Sequence, residues 1–151
     1  MTCHAYEICE KIIDALDASE LIKDFCQLHF SKDPKFYLGI DVNNPPPLTN
    51  APFILVVPEG VQIIENISCQ NPIFVGCVIT DTTSSTVGSI TKMAGLKTIE
   101  DFERLIYDCI DNALQPTISD FTILDAGEAR YMPFYPEFHS QRSLKITSER
   151  D

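Results

Sequence analysis

Two stretches of the chain, residues 4–16 and 99–114, repeat apolar side chains at steps of three and four over three turns or more. In the first, Ala5, Ile8, Cys9, Ile12 and Leu16 fall on one side of a 3.6-residue helix, with Glu7, Glu10, Lys11 and Asp14 opposite. In the second, Ile99, Phe102, Ile106, Cys109, Ile110 and Ala113 share a face. Thr98 and Asp101 fit a weak capping box at its start, and Pro116 closes its far end. Each helix has one apolar stripe to bury against another element.

The remaining sequence supplies strands. After Asp17-Ala18-Ser19, which offers capping side chains, Leu21, Ile22, Phe25 and Leu28 resume helical spacing, while Phe25, Gln27 and His29 alternate as a strand would. Residues 25–32 fit either reading. Phe36 to Val42 is rich in β-formers and runs into a connector with three consecutive prolines, Pro45 to Pro47, which cannot donate ladder hydrogen bonds. Ala51 to Val57 and Pro72 to Thr80 are strong strand candidates, and 61–67 is a further strand or a rim turn. Beyond the second helix, Phe121, Ile123 and Leu124 mark a strand ending near Gly127. Phe138, Leu144 and Ile146 share one parity of another, with Lys145 on the other parity. The order predicts an α+β fold: a small, mostly antiparallel sheet with two main helices packed on one face. At 151 residues and 44% apolar content, the chain is expected to form a single domain spanning 1–151.

Charge narrows the function. Asp and Glu outnumber Lys and Arg by 22 to 11, for a net charge of −11 and a pI near 4.5. A surface that grips nucleic acid by neutralising phosphates needs the opposite sign, so direct, sequence-specific nucleic-acid binding is not expected. An acidic field does suit a surface past which a polyanion slides without sticking. The longest apolar run, Phe53 to Val57, falls far short of the roughly 20 residues of a membrane span, and the N-terminus does not read as a secretion signal. A cytosolic origin without membrane association is the expectation, and the six cysteines then read as reduced, buried apolar residues.

Motifs for catalysis and cofactors are missing from the sequence. There is no C-x-x-C, H-x-x-x-H or H-E-x-x-H, and the loose group Cys3, His4 and Cys9 lacks zinc-ligand spacing. No G-x-S-x-G elbow accompanies the six Cys and three His, and Gly76, Gly88 and Gly95 form no phosphate loop. Glu100-Asp101 and Asp108/Asp111 read as helix-dipole and solvating charges. No catalytic residue, metal ligand or cofactor is therefore assigned, and the chain is expected to bind rather than to catalyse.

Two segments stand out as candidate interfaces. Residues 81–95, rich in Ser and Thr and without a sustained period, read as a long irregular connection, either a flexible loop or a binding loop. Within it, Thr82, Ser84, Ser85, Thr86, Ile90 and Lys92 are the candidate contact residues. The second is Arg130 to Pro136, where Arg130, Tyr131, Met132 and Phe134 belong to residue types enriched in protein interfaces.

The order of elements resembles that of phage tail terminator and tail-completion proteins. The likeness is carried by Phe36-Tyr37-Leu38-Gly39-Ile40, then Asn50-Ala51-Pro52-Phe53 through Pro58, the Gly95-Leu96 to Leu114 helix, and Phe134-Tyr135-Pro136-Glu137-Phe138. It covers nearly the whole chain as a pattern, without a diagnostic motif. The resemblance implies a structural subunit of a long-tailed phage or prophage, two helices against a small sheet, six copies of which form a ring that ends tail-tube growth and joins tail to head. Its implied partners are other copies of itself and tail-tube and neck proteins, and its implied location is the bacterial cytoplasm during assembly and then the virion. In such a ring, 81–95 is expected to reach neighbours and to order on assembly. Residues 59–71 and the triple proline depart from the compactness of that family. A small cytosolic protein-binding or regulatory module is the alternative, and a thiol-dependent enzyme ranks third.

Overall fold

The computed structural model describes residues 4–65, 68–115 and 121–149. Its centre is a pair of long antiparallel strands, β4 (Ser68–Thr80) and β9 (Glu137–Glu149), in register over 13 residue pairs from Ser68↔Glu149 to Thr80↔Glu137. At strand rise this ladder spans roughly 40 Å. Shorter strands flank it on both sides. Along β4 run β2 (Phe53–Pro58) and β3 (Gln62–Ile64); along β9 run β7 (Phe121–Asp125) and β8 (Arg130–Phe134), all antiparallel to it. β1 (Lys35–Leu38) adds to β2 in parallel and forms an edge.

The fold is α+β with a mostly antiparallel sheet, as expected, and the parallel pair β1–β2 makes that sheet mixed. The small sheet expected from sequence has seven strands among the described residues. Among the described residues there are three α-helices rather than two main ones: α1 (Ala5–Asp17), α2 (Glu20–Phe30) and α3 (Gly95–Ala113). Of the ambiguous residues 25–32, those up to Phe30 are helix, with Ser31 as its left-handed cap, and Phe25 stacks flat on Phe102 of α3, centroids 5.4 Å apart. Ser19 caps α2, its hydroxyl accepting from the Ile22 N–H at 3.3 Å.

Strand parity decides what each sheet face does. Ile54 and Val56 of β2, Ile73, Val75, Cys77 and Ile79 of β4, and Phe138, Leu144 and Ile146 of β9 point to one side. There they meet Ile8, Cys9, Ile12 and Leu16 of α1 and Ile99, Phe102, Ile106 and Ile110 of α3. The alternate residues face away from the helices. Phe53 and Val78 form a small second cluster there with Ala51, packed by Tyr37 and Leu55.

Three sequence expectations change. Helix α3 begins at Gly95, one turn before the capping box expected at Thr98 and Asp101. Thr98 sits inside the first turn and its hydroxyl donates to the Ala94 carbonyl at 3.2 Å, and Lys97 takes Asp101 at 3.1 Å. Packing sets this start: a Cβ on Gly95 would lie 2.2 Å from the Phe138 ring, so only glycine lets the helix come this close to β9. Residues 81–95 are not an irregular connection throughout, because β5 (Ser84–Val87) and β6 (Ile90–Met93) pair as a hairpin. Finally, Cys69 is disulfide-bonded, whereas all six cysteines were expected to be reduced; cysteine pairing depends on distances that the fold sets and the sequence does not display. Pro116 lies outside the described residues, as do Cys3 and the end of the 61–67 segment.

Candidate functional site

The two interface stretches, some fifty residues apart in sequence, meet at one end of the β4/β9 ladder. The strands end at the pair Thr80↔Glu137, and from there β4 runs into the β5–β6 hairpin while β9 is preceded by the turn from β8. Two hydrogen bonds join them. The Asp81 N–H donates to the Pro136 carbonyl at 2.9 Å, and the Tyr135 hydroxyl donates to the Thr82 carbonyl at 3.0 Å. An Asx turn at Asp81, whose carboxylate accepts from the Thr83 N–H at 2.7 Å, starts the hairpin; the Ala94 N–H to Thr83 carbonyl bond closes its base.

The hairpin register fixes which candidates act together. Val87 pairs with Ile90 around Gly88-Ser89, with φ +62° at Gly88 as a two-residue II′ turn requires. Ser85 pairs with Lys92, so Ser85, Val87, Ile90 and Lys92 share one face. Ser84, Thr86, Thr91 and Met93 share the other, where Met93 packs against the core and the Thr86 and Thr91 hydroxyls lie 2.9 Å apart. The outward face is therefore the one with the apolar tip, Val87 at 80% and Ile90 at 60% exposure. Sequence reasoning named Ser85, Ile90 and Lys92 but passed over Val87.

Strand β8 divides its candidates as well. Arg130, Met132 and Phe134 pair with Gln141, His139 and Glu137 and face the helix-free side, with Phe134 67% exposed. Tyr131 pairs with Ser140 and faces the helix side, where burial, with Glu103 and Glu100 nearby, pushes its phenol pKa up. On the helix-free face an open groove of about 450 Å³ includes Glu59, Phe74, Arg130, Gln141 and Ser143, with the Ser143 hydroxyl donating to Glu59 at 2.8 Å.

Near the middle of the ladder, on the helix side of the pair Val75↔Arg142, lies a buried ionic cluster that sequence reasoning did not single out. Glu103 of α3 accepts from Arg142 Nε at 2.6 Å, Arg142 Nη1 donates to the Ala126 carbonyl at 3.0 Å, and the guanidinium stacks over Tyr107 at 4.4 Å. The adjoining void, about 10 Å³ between Cys77, Glu103 and Ser140, is too small for an organic ligand. Arg142 thus ties β9 to α3 through Glu103 and to the β7–β8 connection through Ala126.

Among the described residues, burial also holds the free thiols in their protonated form. Burial pushes Cys9 up to about 11 and Cys26 to about 12, the latter with help from Asp33, and raises Cys77 and Cys109. All four stay protonated at neutral pH, the reverse of what a nucleophilic cysteine needs. Among the described residues no three His, Cys, Asp or Glu side chains gather as a metal site, and no helix is long and apolar enough to cross a membrane.

Charge sets the hairpin end apart. From Thr82 to Ile99 there is no acidic residue and there are two lysines, in a chain that carries −11 overall. A chain in the virion of a native gene transfer agent particle superposes with a TM-score of 0.55 at 11% identity, over 99% of this chain and 100% of that one. The two share a fold. No family model matches the chain, and no curated protein does.

Proposed function

We propose that this chain is a structural subunit of a phage-like virion, of the tail terminator kind, assembling as a ring that ends the tail tube and joins tail to head. The observation that carries the reading is the end-to-end likeness to a virion chain, over 99% of this chain and 100% of that one. The convergence of two exposed, aromatic and apolar stretches on one end of the sheet supports it, because an assembly subunit needs such a surface and an isolated monomer does not. The acidity fits a bore through which DNA passes without sticking. Native mass measurement over a concentration series is the test. A discrete ring, six copies on this reading, is expected; a mass that stays at one chain throughout contradicts ring formation by the free protein.

A further inference from the structure

We infer that the β5–β6 hairpin is an arm that docks on helix α2 of a neighbouring copy, with Val87 and Ile90 lying on Leu21 and Leu28 and Lys92 meeting Asp24. This rests on the ring reading above and names its contact. The first side of the contact is the outward face of the hairpin, with an apolar tip and a lysine at its base. A two-stranded hairpin carrying its apolar residues on the face turned away from its own core gains nothing from them in the monomer.

The second side is α2. Its buried stripe, Ile22 and Cys26, faces inward, while Leu21 and Leu28 stand 69% and 80% exposed on the far side. Leu21, Asp24 and Leu28 follow at i, i+3 and i+7, which places all three on one helical face with the carboxylate between the two leucines. Asp17 and Glu20 add negative charge at the same end, and both are exposed. Over Ala5–Phe30 the sequence holds six acidic residues against two lysines, and the arm holds none of the former. Each surface therefore offers an apolar pair with charge of one sign, and the signs are opposite.

The occupant is a second copy because the two patches are different surfaces of the same molecule. A contact between unlike patches is head-to-tail, and a head-to-tail contact that closes makes a ring, whereas one self-complementary patch would stop at a dimer. The arm is anchored at its base, through Asp81, Thr83 and Ala94, and its tip is free to meet the neighbour.

A zero-length carbodiimide cross-link tests this on the full chain. Equal amounts of ¹⁴N and ¹⁵N protein are mixed under assembling conditions, and linked peptides are read by mass spectrometry. The expected product joins Lys92 to Asp24, Glu20 or Asp17 in mixed-isotope pairs. Lys92→Glu is expected to weaken assembly roughly tenfold, as is Asp24→Lys, with the double variant Lys92→Glu/Asp24→Lys restoring most of it. Thermal melting of each variant, unchanged from the wild type, separates lost contact from lost folding. Rings that form with cross-links elsewhere, or that Lys92→Glu leaves intact, overturn the arm while the ring reading stands. If no assembly occurs at any concentration, both fail.

Discussion

The β4/β9 ladder and the β5–β6 arm are both antiparallel pairs, and they grow out of one another at Thr80, yet physically they are opposites. The ladder pairs 13 residues on each strand and buries one face under three helices; the arm pairs four and buries almost nothing. Stability resides in the first. The second holds exposed Val87 and Ile90 that only an outside surface can cover. Residues that a monomer does not need are where assembly is to be sought, and that separation yields measurable consequences.

The largest effect belongs under the ladder. Phe102, fully buried and stacked with Phe25, is expected to cost about 4 kcal/mol as Phe102→Ala in a denaturant titration, a cavity between α2, α3 and the sheet. Next, Glu103→Ala strips the buried Arg142 guanidinium of its carboxylate and is expected to cost about 3 kcal/mol, since both partners are largely shielded from water. Gly95→Ala drives a methyl into the Phe138 ring, with about 2 kcal/mol lost from overpacking.

Alkaline pH probes the same core more gently. A thiol whose folded pKa lies above the ordinary 9.0 favours the folded state fully below pH 9 and ceases to do so as pH rises through the folded value. Melting temperature is therefore expected to fall between pH 9 and about 11 to 12, the range set by Cys9 and Cys26, and to fall less steeply in Cys26→Ala. In the arm, Ile90→Ser is expected to leave stability within about 0.5 kcal/mol of the wild type. An arm variant that unfolds the protein would erase the distinction between the two regions.

The core was legible in the sequence wherever one period ran long enough. Ile8, Cys9, Ile12 and Leu16 face inward as their spacing requires, and so do Phe138, Leu144 and Ile146, with Lys145 exposed. What escaped depends on distance in space. The parallel pairing of β1 with β2 spans a proline-rich connector that gives no sign of it, and the start of α3 is set by a ring from β9, more than forty residues on. The arm was missed for a different reason. Gly88-Ser89 between Val87 and Ile90 is a II′ hairpin signal, but the two strands are only four residues long and have no apolar alternation to carry it. Of the candidate interface, the residue types were readable, whereas their meeting through Tyr135 and Thr82 required the register of two 13-residue strands.

Electron microscopy of phage tail tubes assembled with and without this chain tests the proposed assembly role most directly. Tubes that stop growing with a ring at one end are the expected result, and the Lys92→Glu variant should leave far fewer ends capped. Tubes that keep lengthening with bare ends in the presence of the folded wild-type chain would contradict it.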